Sequence, residues 1–404
     1  MIITAIIFWI SVAALLHSYL LYPLLLRLAA AGKKAHTPTY DRSESLPRVS
    51  ILISAFNEEK VIEQKLNSVL SSNYPTELLH VFIGSDCSND RTDEIIREFD
   101  VKFPNRVHFT AFDKRQGKPM IINQLSEQAY ELFTKSDEHI LIITDANVML
   151  GSNTVFELCK HFKDSKIALV DSNIVNPDNK QSNGIAKNEK GYISREVMMK
   201  HREGLAWGAM IGPLGGCYAI RSTYFSQVPK GFLVDDFYIA MNALKKGGKA
   251  INELEAICYE DVSTRISQEF RRKTRISSGN FANLSVFWPL LLPWKGATAF
   301  AFLSHKVLRW LGPFFIISAF VSNSLLAFAF GANLFYQILF FLQTFGLFAV
   351  PLLDFLTGLL GLHLAPLRYI TYFLAMNAAL LKGFFNYLKG VRNNVWQPTQ
   401  RNIS

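Results

Sequence analysis

Thr144, Asp145, Ala146 and Asn147 close an apolar run, Ile140–Thr144, and far along the chain Val234 and Phe237 bracket a second acidic pair, Asp235 and Asp236. A carboxylate at a strand end can share a hard cation, Mg2+ or Mn2+, with a diphosphate. A distant carboxylate can take a proton from an attacking hydroxyl. The pattern suits an enzyme that clamps a metal-bound diphosphate and deprotonates an acceptor. Asn147 brings an amide oxygen without charge, so the diphosphate must supply much of the ligand charge. Capping or turn formation suits Asn147 as well. Asp235 and Asp236 open a helical pattern, where the dipole alone favours acids. Lys118 follows Gly117 at the start of another predicted helix, where N–H groups and positive charge favour a diphosphate. A solvated charge run with Lys114 and Arg115 is the plainer alternative.

These residues need an edge on which to meet. Val49–Ser54, Leu79–Gly84, Val107–Ala111 and Ile140–Thr144 read as strands, with helices expected over Glu58–Ser71, Thr92–Phe99 and Pro119–Phe133. Such alternation predicts an α/β domain with a mostly parallel sheet and helices on both faces. Ligands bind at the carboxyl ends of strands in these sheets, and Asn57, Asp86 and Asp145 follow strands one, two and four. They should converge on one rim. Asn57 and Glu58 serve equally as a helix cap, and Asp90 also suits a capping role.

Composition adds a membrane. Half of the residues are hydrophobic, 19% are charged and Phe occurs 32 times in 404 residues. The apolar excess lies at the ends. Residues 1–31 hold one charge, Arg27, and predict an uncleaved transmembrane anchor, with Lys33 and Lys34 placing its far side in the cytoplasm. A linker spans 32–47. From Leu284 the chain turns apolar again: Pro289, Pro293 and Lys295 make 284–309 an interfacial segment, and 310–388 a membrane region with spans at Leu311–Phe330 and Leu334–Leu353. The stretch Tyr369–Leu381 is short for a span and reads as interfacial or re-entrant. Three spans then leave a cytoplasmic tail at 389–404, and the plasma (inner) membrane is the expected location. The net charge of +9 is scattered. Its densest cluster, Arg271, Arg272, Lys273 and Arg275, fits diphosphate or membrane lipids better than nucleic acid. The four cysteines match no zinc spacing and are expected reduced.

The motifs Ser54–Glu58, Gly84–Thr92, Gly117-Lys118, Thr144–Asn147, Val234–Asp236 and Arg272–Arg275 resemble, in order and spacing, the family 2 glycosyltransferases, specifically the membrane-integrated branch with a GT-A domain between transmembrane helices. The resemblance covers roughly 47–280 and implies a GT-A domain over 48–283. It implies that Asn57 and Glu58 frame the nucleotide pocket, that Asp86 binds base or ribose, and that Lys118, Arg272 and Arg275 contact the donor diphosphate. Asp145 and Asn147, where the family writes Asp-x-Asp, become the cation ligands. Asp236 becomes the catalytic base with Asp235 supporting it, and Gly215 and Gly216 line the acceptor. The implied reaction is inverting transfer from a nucleotide-sugar to a lipid-linked or glycan acceptor. Arg272 and Ile276 depart from Gln-x-x-Arg-Trp. Without the Trp platform, transfer of one or few sugars is favoured over a processive polysaccharide synthase. A catalytically silent assembly partner is the non-enzymatic alternative. Glu260 and Asp261 also align with an acidic family position. Trp396–Arg401 resembles tails of this branch that fold back on the catalytic domain.

Overall fold

The apolar runs at the start of the chain become parallel strands in a computed structural model, which describes residues 1–33, 38–175, 184–260, 266–330, 333–362 and 364–390. These are β1 (Arg48–Ala55), β2 (Leu79–Asp86), β3 (Val107–Phe112) and β4 (His139–Asp145). Four further strands, β5 (Met149–Leu150), β6 (Ile167–Val175), β7 (Cys217–Arg221) and β8 (Lys249–Tyr259), complete one sheet in the order β3-β2-β1-β4-β7-β6-β8-β5. β7 runs antiparallel to both β4 and β6, whereas β6 and β8 are parallel. The sheet is thus mixed but mostly parallel, in the expected α/β class. Asp261 and Trp396–Arg401 lie outside the described residues.

Alternation along β1 splits the core. Ile51 and Ile53 join Ile62, Leu66 and Ile96 on one face, and Leu52 joins Ile121, Ile122 and Leu125 on the other. Burying one such side chain contributes about 1.5–3 kcal/mol, so helices on both faces are energetically required. Chain order runs outward from β1 to β3, then returns to the other side of β1 with β4. That reversal opens a crevice at the strand carboxyl ends. Gly84 lets the Lys118–Leu132 helix approach, since a Cβ there would meet Ile121 Cγ2 at 2.6 Å.

Three helices among the described residues are long and apolar enough to cross a membrane: Ile2–Ala30, Gly312–Ala329 and Leu334–Leu359. The first packs Phe8 against Ala319 and Leu326, and farther along buries Tyr22 and Leu26 against Met199 and Ala206 of the Gly184–Trp207 helix. Polar contacts reinforce this junction. Tyr22 Oη donates to Glu203 Oε1 (2.7 Å), and His305 bridges Glu203 (2.7 Å) and Glu196 (2.8 Å). Lys306 (2.5 Å) and Arg309 (3.2 Å) complete the cage around Glu196.

The composition change at Leu284 marks no break, because one helix runs from Ile266 to Phe287. Short turns at Pro289 and Pro293 follow it. The stretch expected to be short is part of a 24-residue helix, Ala365–Leu388, laid along Ile266–Phe287. Helical backbone extends on both sides because Arg368 and Lys382 sit where neighbours accept them, beside Asp354 (3.9 Å) and the Phe270 ring (5.6 Å). Ser277 Oγ donates to Leu380 O (2.8 Å) and Ser278 Oγ to Gly383 O (3.0 Å). Gly383 leaves no room for a side chain, since a Cβ would collide with Ser277. Gly383→Leu should therefore cost about 1–3 kcal/mol of overpacking, read as a lower thermal midpoint in detergent. An unchanged midpoint would contradict this helix pairing.

Candidate active site

The carboxyl ends of β1, β2 and β4 form the rim on which the polar loops gather. After β1 the backbone turns through Asn57, whose φ of 53° is left-handed, as is that of Cys87 (60°) after β2. Asn tolerates this region because its amide can bond locally. Here Asn57 N–H donates to Ser88 Oγ (3.1 Å) and its Oδ1 accepts from Asn89 N (3.0 Å). Glu58 N–H donates to Thr92 Oγ1 (2.8 Å). Asp90 accepts from Thr92 N (3.0 Å) and Glu59 N (3.2 Å) just ahead of the helix Thr92–Lys102, whose N-cap position is Arg91. The two loops are therefore stitched together by their own side chains.

Asp86, 2% exposed, ends β2 and organises the next loop. Its carboxylate accepts from Gln116 N (2.7 Å), Gly117 N (2.9 Å) and Arg115 Nε (3.1 Å). The Arg115 guanidinium lies 3.2 Å from the Phe56 ring centre. Gly117, at φ 86°, makes the turn that aims Lys118 inward from the first position of its helix.

Lys118 joins the two acidic clusters. Its Nζ is 2.6 Å from Asp145 Oδ1 and 3.8 Å from Asp235 Oδ2. Burial alone would lower its affinity for the proton, but Asp145 and Asp235 outweigh that and raise it, so Lys118 is held as a cation. Asp235 and Asp236 begin the helix Asp235–Lys245, and Asp235 is 6% exposed. Burial, then the adjacent Asp235 charge, push Asp236 up to about 6, against the pull of Lys118 and the Phe237 N–H.

Gly215 and Gly216 fill the space between the clusters. Gly216 O accepts the Asp145 N–H (3.0 Å), and a Cβ there would meet Ile174 Cδ1 at 2.7 Å. Gly215, at φ 88°, lies directly under the Asp236 carboxylate, where a Cβ would strike Oδ2. The basic segment arrives from the Ile266–Phe287 helix. Arg275 NH1 donates to Leu233 O (3.4 Å) and faces Asp235, Asp145 and Asp236. Arg272 instead pairs with Glu269 a turn earlier (3.1 Å). Asn147 donates its amide to Glu260 Oε1 (3.3 Å).

Several buried polar groups at this site escape sequence reasoning. Lys65 sits wholly buried behind β4, with Nζ donating to Thr144 Oγ1 (2.8 Å) and to Val148 O. Burial lowers it to about 8, partly offset by its neighbours, Asp145 among them. Tyr218 on β7 is buried, and the nearby Asp235 and Asp236 add to the effect of burial in holding its phenol protonated. Its Oη has no hydrogen-bond partner among the described residues. Asp171 and Lys200 form a second buried pair. No spacing rule links Lys65 to Thr144, or Lys200 to Asp171, across so much sequence.

Among the described residues, no group of three or more His, Cys, Asp or Glu side chains is placed to hold a metal. Asp145 still fits one need: a partly exposed hard carboxylate at the crevice mouth. Such a donor suits a cation that arrives with its diphosphate, because Mg2+ commonly takes one or two protein carboxylates plus phosphate oxygens. A closed protein cage it is not.

A mostly parallel sheet with carboxylates at its switch point and helices around it has the GT-A-type fold, here combined with three apolar helices able to span a membrane. The family described as Glycosyltransferase like family 2 matches residues 47–279, and the chain belongs to it. The chain is 36% identical over 105 residues to the probable glycosyltransferase YdaM of Bacillus subtilis (24% of each chain). It is 30% identical over 115 residues to the poly-beta-1,6-N-acetyl-D-glucosamine synthase of Staphylococcus epidermidis (28% of this chain, 25% of that one). These matches span about a quarter of the relatives' length. The mannosyltransferase PcManGT from Pyrobaculum calidifontis, solved with GDP-Man and Mn2+, shares the fold with a TM-score of 0.67 at 20% identity, covering 95% of this chain and 99% of that one.

Gly215→Ala tests the close approach. The added methyl group must displace Asp236 and adopt a left-handed φ, which alone costs roughly 1–2 kcal/mol. Turnover should fall about tenfold or more while the circular dichroism spectrum stays native. Turnover equal to wild type would show that Asp236 tolerates movement.

Proposed function

We propose that the protein is an inverting glycosyltransferase that moves a sugar from a nucleotide-sugar to an acceptor hydroxyl at the membrane face. The carrying observation is the convergence of Asp145 and Asp235 on Lys118 at the carboxyl end of β4, with Asp236 beside Asp235 on the same helix start. Asp236 accepts the proton of the acceptor hydroxyl, whose oxygen attacks the anomeric carbon from the side opposite the nucleoside diphosphate. With one base and no nucleophilic step, the configuration inverts. Lys118 and Arg275 balance the charge that builds on the leaving diphosphate, and Arg272 stands on the same helix as an outer donor contact. Asp86 and the Asn57–Glu58 turn frame the nucleotide, and Gly215 and Gly216 admit the acceptor close to the base.

Asp145, with Asn147 beside it, would hold a divalent cation, which when bound supplies charge neutralisation for the diphosphate. The anchor orientation expected from Lys33 and Lys34 puts the domain on the cytoplasmic side of the inner membrane, facing a lipid-linked or glycan acceptor. Chain extension is the second reading, favoured by likeness to the staphylococcal synthase. Ile276 in place of an aromatic platform weighs against it.

Two measurements test the assignment. Purified protein in lipid, screened with UDP-, GDP- and dTDP-sugars, Mg2+ or Mn2+ and glycan or polyprenyl-linked acceptors, should release nucleoside diphosphate from one donor. Asp236→Asn should lose about 10²–10⁴-fold in turnover with donor binding retained; a loss of only a few fold would remove Asp236 as base. Since the base must be ionised and burial holds Asp236 near 6, the wild-type rate should climb as pH rises through about 6 and level off above it. A rate flat across that range would contradict the same assignment. Product length separates single addition from extension.

A further inference from the structure

The Gly184–Trp207 helix presents Glu196, Lys200 and Glu203 at spacings that share one face. Its membrane-side contacts, through Glu196 and Glu203, are structural. Its other contacts reach the loop under the base. Glu203 Oε2 accepts from Ile211 N (3.0 Å), fixing the start of the Ile211–Gly216 loop. Lys200, 1% exposed, places Nζ 3.6 Å from Asp171 Oδ2, and the same oxygen accepts from Leu214 N (3.2 Å). Asp171 Oδ1 accepts from Ser172 N (3.1 Å), which fixes the carboxylate on β6. Leu214 directly precedes Gly215, the residue under Asp236 Oδ2. A fully buried ion pair is an expensive way to hold one loop, because desolvation offsets most of its attraction. Its location one residue from the base contact gives it a purpose.

We propose that Lys200 and Asp171 are positioning residues for sugar transfer: the buried pair sets the Leu214–Gly216 backbone against Asp236 and so fixes where that carboxylate stands. The proposal rests on Asp236 acting as base. Asp236 is faced by Asp235 on its own helix, Lys118 from the Lys118–Leu132 helix, Lys200 from Gly184–Trp207, Arg275 from Ile266–Phe287 and Tyr218 from β7. Lys118 and Arg275 belong to the donor side, whereas Lys200 is tied to the acceptor-side loop. Losing Lys200 removes a positive charge from the base, and losing the Asp171 charge leaves Lys200 without its counter-ion.

The test uses the full chain in lipid, with Lys200→Met and Asp171→Asn compared with wild type for kcat, acceptor KM, donor binding and the pH–rate profile. Lys200→Met should lower kcat about tenfold, leave donor binding unchanged and move the acid limb upward by a few tenths to about one pH unit. Asp171→Asn keeps an acceptor for the Leu214 N–H; it should slow turnover less and move the limb down. Opposed movements are not produced by a merely structural pair. If both variants fold, slow down and keep the wild-type limb, the positioning role is overturned while the base stands. If Lys200→Met does not fold, Asp171→Asn alone decides: a limb unmoved or displaced upward overturns the proposal. Burial also pushes Asp171 up to about 6, so a limb abolished by Asp171→Asn would belong to Asp171 and overturn it too. If Asp236→Asn turns over normally, the base reading falls first and carries this one with it.

Discussion

Three carboxylates gathered at one strand end repel one another unless cations stand among them. Asp145, Asp235 and Asp236 are so placed, and much of the architecture answers that constraint. Lys118 comes from the helix after β3, Arg275 from the long helix that ends the domain, Lys200 from the helix after β6 and Lys65 from the helix after β1. Each needs its helix at a set distance from the sheet. Gly84 supplies that distance for the Lys118 helix, and Gly215 lets the loop approach Asp236, since a methyl group at either would meet a neighbour. Charge balance at the rim and close packing beneath it are one requirement.

The same logic extends to the membrane. Glu196 and Glu203 are buried acids whose partners are Tyr22 of the first apolar helix and His305, Lys306 and Arg309 of the segment that precedes the second. Removing one partner of such a group leaves an uncompensated charge, which costs about 3–5 kcal/mol. The sheet-bearing domain is therefore docked on the first apolar helix through several desolvated contacts, and the Ala365–Leu388 helix packs against its Ile266–Phe287 helix.

What the sequence reveals follows its periodicity. The runs ending at Ala55, Asp86 and Asp145 stand out because strands buried on both faces are continuously apolar, and polar residues at their ends then mark the rim. Lys118 is legible as a helix opener beside a glycine. The half of the sheet from β5 to β8 is not, because β7 is five residues long and β6 carries Asp171, Ser172 and Asn173 in its middle. Buried polar residues disguise a strand as a loop. Lys65, Lys200 and Tyr218 are likewise buried with no sequence pattern to mark them. The Ala365–Leu388 helix exceeds its apolar stretch because helical hydrogen bonding continues wherever a neighbour covers the polar ends.

The turn after β2 has a practical side. Of the four cysteines, Cys159, Cys217 and Cys258 are buried and Cys87 is exposed. Cys87 sits beside Asp86 in a left-handed turn, with its thiol directed at Asp113 O (3.5 Å), on the lip of the crevice proposed for the nucleotide. A thiol-reactive dye added to the unmodified protein would thus label one position, at the mouth of the pocket. Shielding by a bound ligand would then register as slower alkylation, giving the natural sequence a built-in occupancy reporter.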